Sequence, residues 1–100
     1  MRVKVRISIY EGGRKITRED LKGLKDPLSI GLRYIAEFKY LEATKWLMLS
    51  KDCFEKYYLL GLLNVSLGQE HQATIFFDEA RKHPKTTNYS FHVMDKGGER

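Results

Sequence analysis

The sequence predicts an α+β protein, mainly α, with two antiparallel helical hairpins and short terminal β-strands that form a small ribbon. Three observations carry this expectation. Both ends of the chain alternate apolar and polar residues, the stretch from Asp52 to Pro84 reads as two amphipathic helices folded back on each other, and the stretch upstream repeats it. One domain over residues 1–100 is expected, in three parts: a basic strand, turn and short helix over 1–25, two hairpins over 26–85, and a terminal strand and tail over 86–100.

Taken in order, residues 2–10 place Val3, Val5, Ile7 and Ile9 on one face and Arg2, Lys4, Arg6 and Ser8 on the other, which predicts a strand with one buried face. Glu11-Gly12-Gly13-Arg14 supplies a turn, and Lys15 to Thr17 a short returning strand. Thr17 is placed to cap a brief helix over about Arg18–Leu24, with Leu21 and Leu24 as its apolar anchors. Asp26 as N-cap and Pro27 at the first helical position start the first hairpin. In the second, Asp52 and Glu55 have the spacing of a capping box, and Leu67-Gly68 offers the left-handed residue that ends a helix. A further helix starts at about Gln69; Ala73, Phe76, Phe77 and Ala80 recur along one face of it, and Pro84 closes the pattern. Residues 87–94 alternate again, with Tyr89, Phe91 and Val93 facing one way; the two terminal strands are expected to pair, because an isolated strand leaves its backbone groups unsatisfied. Asp95 to Arg100 reads as a solvated tail.

Setting Gly31 over Gly61 aligns the two hairpins without a gap, at a period of about 30 residues. Ala43 then falls on Ala73, Trp46 on Phe76, Leu47 on Phe77, Leu32 on Leu62 and Ile35 on Val65. A glycine on one helix lets an alanine-bearing helix approach, while larger side chains fill the space beside them.

This register resembles the tetratricopeptide repeat family, in Leu60-Gly61, Ala73, Phe77, Ala80, Leu67-Gly68 and Pro84 of the second copy and in Gly31, Tyr34, Ala43 and Leu47 of the first. The spacing is shorter than the family's repeat of about 34 residues, and Asn64 stands where Tyr34 supplies the family's tyrosine. The resemblance implies a concave wall formed by the first helix of each pair, with Leu28, Leu32, Ile35, Tyr58, Leu62 and Val65 as an apolar partner-binding groove. These side chains do not suit the gripping of a peptide carboxylate. Occupation by the terminal ribbon, by a partner or by a second copy is open at this point.

A net charge of +5 is confined to the first 25 residues, which hold eight cations and three acids. Arg2, Lys4, Arg6, Arg14, Lys15 and Arg18 are therefore candidate contacts to a nucleic-acid phosphate chain, set against the ordinary use of cations to keep an edge strand soluble. Tyr10 alone offers a ring beside them. No catalytic residue, metal ligand set or cofactor site is expected: His71, His83, His92 and Cys53 are scattered, and Gly12-Gly13 lacks the pattern of a phosphate loop. The longest apolar run, Tyr57 to Leu63, is too short to span a membrane, and a cytoplasmic location is expected. The expected function is a non-catalytic protein interaction scaffold, by homo-oligomerisation or docking of a partner segment. A nucleic-acid-binding adaptor is the alternative.

Overall fold

In the computed structural model, which describes residues 5–95, eight elements follow one another: β1 (Val5–Glu11), β2 (Arg14–Lys15), α1 (Arg18–Leu21), α2 (Pro27–Ala36), α3 (Tyr40–Leu49), α4 (Phe54–Ser66), α5 (Glu70–Ala80) and β3 (Tyr89–Asp95). The expected mainly helical α+β class is what the chain adopts, with a three-stranded antiparallel sheet of order β2-β1-β3. β1 and β3 pair from Val5 opposite Asp95 to Glu11 opposite Tyr89, so the two ends of the described chain lie side by side. Asp95 belongs to this strand rather than to a tail, and Val3, Arg2, Lys4 and the segment 96–100 lie outside the described residues. The returning strand is shorter than the sequence suggests, pairing only Tyr10 with Lys15 and Glu11 with Arg14 before a last bond from the Ile16 N–H to the Ile9 carbonyl. Beyond it, the Tyr40 hydroxyl accepts from the Ile7 N–H at 3.0 Å, so a side chain of α3 takes up an edge group of β1. Tyr40 is buried, and burial raises its pKa, which keeps the phenol protonated.

The helix starts follow local chemistry. The Asp20 carboxylate accepts from the Thr17 N–H and hydroxyl at the head of α1, and these bonds, the backbone one foremost, lower its pKa. α1 stops at Leu21 rather than Leu24, because Gly23 turns the chain at φ 89°. Asp26 accepts from the Ser29 N–H and Pro27 opens α2, as the sequence predicts. The box expected of Asp52 and Glu55 does not form, and Cys53 is the N-cap of α4. Asp52 instead accepts from the Tyr57 hydroxyl (2.8 Å) and Lys56 Nζ (3.1 Å); these bonds, the tyrosine one foremost, lower its own pKa, and the tyrosine bond pushes Tyr57 up to about 12. Lys56, itself buried, also donates to the carbonyls of Ser50 and Met48, so the end of α3 is capped by a cation from α4.

Each hairpin turns through the same bonds at positions 30 apart. Phe38 N–H donates to Ile35 and Lys39 N–H to Tyr34; Gly68 N–H donates to Val65 and Gln69 N–H to Asn64. This is a Schellman closure, whose key residue takes a left-handed conformation: Gly68 at φ 80° and, in the first hairpin, Phe38 at φ 63°. Close approach also recurs. A Cβ on Gly31 would stand 2.9 Å from the Leu47 side chain, and one on Gly61 would collide with the Phe77 ring. Ala43 and Ala73 are both buried, and the Ala43 carbonyl faces Gly31.

The core lies between the hairpins and the inner face of the sheet. Ile7 and Ile9 of β1 join Leu32, Ile35, Leu59, Leu62 and Leu63 in one buried cluster, with Phe91 and Tyr89 packed against it. Val93, expected on the same face, is half exposed on the edge strand.

Candidate functional site

The groove implied by the repeat-like register is not open. Leu32 and Ile35 have no solvent exposure and Leu62 has 5 %, while Leu28 and Tyr58 pack against the same cluster and Val65 is half-buried. Ile7 and Ile9 join that cluster, and the Tyr58 and Phe91 rings stack with centroids 6.0 Å apart. The reason is proximity: the ribbon is an apolar surface in the same chain, and it reaches the groove without the loss of freedom a separate partner would suffer.

Apolar side chains are exposed elsewhere. α3 buries Tyr40, Ala43 and Leu47 toward the core, yet Leu41, Met48 and Leu49 are 57 %, 54 % and 65 % exposed. With Lys45 they fall at i, i+4, i+7 and i+8, one stripe along the outer side of the helix. Sequence reasoning missed this stripe because α3 is apolar on both sides, which blurs the periodicity that marks a buried face. The positions 30 residues on, in α5, hold His71, Ile75, Asp78 and Glu79, so the same stripe of the second hairpin is mostly polar. Arg81 and Lys82 follow the last residue of α5 and pair back with Asp78 and Glu79.

Of the expected cationic contacts, Arg6, Lys15 and Arg18 come together around one cleft of about 250 Å³ with Phe38 at its wall, whereas Arg14 is held by Asp20 at 3.3 Å. A second cleft, also about 250 Å³, adjoins it through Arg18 and is lined by Lys22, Arg33, Tyr34, Glu37 and Lys39. The basic surface is therefore not a property of the N-terminal segment alone, since α2 and the first hairpin turn contribute Arg33 and Lys39. Glu37 lies between two cations, 3.5 Å from Arg18 and 3.7 Å from Lys39.

A third constellation holds the chain together. Glu55, buried at the start of α4, accepts from the N–H and hydroxyl of both Thr86 and Thr87, at 2.8 to 3.2 Å. Burial pushes its pKa up, but the hydrogen bonds, the Thr87 hydroxyl first, outweigh it and the net shift is downward. The carboxylate is a clamp on the approach to β3 and is fully engaged. Among the described residues no group of three or more His, Cys, Asp or Glu could hold a metal ion, and no helix is long and apolar enough to cross a membrane. No protein-family model, curated protein or solved structure matches this chain.

Proposed function

We propose that the chain is a non-catalytic protein interaction scaffold, built on two tetratricopeptide-like hairpins, that associates with a second copy of itself through the outer stripe of α3. The observation that carries this reading is the exposure of Leu41, Met48 and Leu49 together on one helix face. Burying a large apolar side chain is worth roughly 1.5 to 3 kcal/mol, so three on each copy supply a substantial drive to associate. The polarity of the stripe points to a second copy rather than a different partner. Lys45 lies within the stripe and Glu42 at its margin, one turn apart, and neither has an ion-pair partner among the described residues. An interface about a twofold axis must be complementary to itself, and an antiparallel pair of α3 helices sets the acid of each copy beside the base of the other. The reading assigns the protein to the cytoplasm, where a lone buried thiol such as Cys53 is ordinary.

Light scattering at two concentrations, on the wild type and on Leu41→His/Met48→Asp/Leu49→Glu, tests it. That variant gives α3 the side chains of the second hairpin at three exposed positions. The wild type is expected to reach twice the monomer mass with rising concentration, and the variant to stay monomeric with an unchanged helical circular dichroism spectrum. A wild type that is monomeric throughout, or a variant that still dimerises, overturns the reading.

A further inference from the structure

The two adjoining clefts on the first hairpin form a cationic path that the self-association surface does not use, and we propose that it binds single-stranded nucleic acid. Three features point to this ligand. First, Arg6, Lys15, Lys22 and Arg33 face the clefts with no carboxylate within ion-pair distance among the described residues; Glu37 is occupied between Arg18 and Lys39. A phosphodiester chain supplies the evenly spaced negative charge that such a row of cations lacks.

Second, Arg6 and Arg33 lie over rings and have no acid partner, unlike Arg18, which pairs with Glu37. The Arg6 guanidinium lies 4.8 Å from the Phe38 ring centre and that of Arg33 lies 5.6 Å from the Tyr34 ring centre. Stacked guanidinium planes and half-exposed rings are the surfaces on which unpaired bases settle, whatever their sequence. Third, the ring at the cleft wall is displayed against local preference. Phe38 is 50 % exposed and occupies the left-handed position that the sister turn gives to Gly68, where any side chain is strained. Nothing in the closure of the turn needs a ring there, since Gly68 makes the same backbone bonds without one.

The size and shape of the clefts select among anions. Each, at about 250 Å³, is below the roughly 300 to 1,000 Å³ of sites that engulf a small molecule, and the two share Arg18 in their linings. They suit a chain passing across them, with phosphates on the cations and a base against Phe38.

The test is fluorescence anisotropy of the full chain with labelled 20-nucleotide oligo(U) and oligo(dT), at 50 and 200 mM KCl. Contact with roughly five phosphates of a single strand weakens affinity on the order of 100-fold over that fourfold salt increase. Lys15→Glu/Lys22→Glu/Lys39→Glu is expected to lose at least about tenfold in affinity, while Lys51→Glu/Lys82→Glu/Lys85→Glu, which touches neither cleft, loses less than about threefold. Phe38→Gly is expected to bind about tenfold more weakly with a melting temperature equal to or above that of the wild type, a combination that a merely structural ring would not produce. Tighter binding of oligo(U) than oligo(dT) assigns the site to RNA, and equal binding to either strand. Absence of binding at 50 mM KCl overturns the proposal. So does equal damage from the two lysine triplets, undiminished binding by Phe38→Gly, or binding of phosphatidylserine vesicles that neither oligonucleotide displaces.

Discussion

The two hairpins close through the same backbone bonds and differ in almost everything they show to solvent. The first carries Phe38 in the left-handed position of its turn and a largely apolar outer helix; the second carries Gly68 and a largely polar one. The second is also the one tied down, because Glu55 clamps Thr86 and Thr87, whereas the matching position in the first, Lys25, is exposed. Two hairpins that share their closing bonds constrain their interiors alike and leave the exterior of each free to differ. Here the second hairpin clamps the approach to β3, while the first holds β1 through Tyr40 and offers the surfaces to which the proposed functions are assigned.

The sharpest way to break the comparison is to remove the anchor. Glu55→Gln keeps the shape but replaces an acceptor of four hydrogen bonds by a group with its own donors, and it is expected to cost roughly 3 kcal/mol in urea unfolding at pH 7. The sign with pH follows from the lowered pKa of Glu55. Its contribution is complete above the ordinary carboxylate range near pH 4.3 and disappears as pH falls through the lower folded value, so wild type and variant converge in acid. A gap that stays constant down to pH 2 would show that the carboxylate charge is not what holds the clamp.

Next in size is the close approach inside each pair. Gly61→Ala drives a Cβ into the Phe77 ring and is expected to cost about 2 kcal/mol. Adding Phe77→Leu, which installs the side chain found at Leu47, is expected to recover part of that loss; no recovery would mean that the two glycines serve different contacts. The smallest effect belongs to the turns. Phe38→Gly is expected to stabilise the chain by a few tenths to about 1 kcal/mol, because relief of the backbone strain exceeds what the ring gains from packing on Arg6 and Tyr40. Gly68→Phe is expected to destabilise it by about 1 kcal/mol or more. Thermal unfolding of both variants decides whether the ring in the first turn is tolerated or favoured.

Local chemistry was the part of this fold legible in advance. Asp26-Pro27, the Leu67-Gly68 ending and the alternation of the terminal strands each act within a few residues, and each stands where the sequence places it. What escaped was competition between groups, most of it long-range. Asp52 and Glu55 have capping-box spacing, but Lys56, Tyr57 and the two threonines some 31 residues away compete for those carboxylates and win. Leu32, Ile35 and Leu62 read as an apolar wall, but nothing local decides whether the ribbon, a partner or a second copy covers it. The clefts escaped for the same reason: Arg33 and Lys39 look like solvated helix cations until β1 and α1 are set beside them. Phe38 had a usable signal, since the 30-residue offset carries Gly68 onto it.

The cross-strand partnership of Val5 with Asp95 has a mechanical consequence. Tension applied at those two points would load the ladder one rung at a time, peeling β3 from β1 like a zip instead of shearing all its bonds together. The sheet would part at low force while the helices were still folded, and the apolar interior would then be open to whatever strand was at hand.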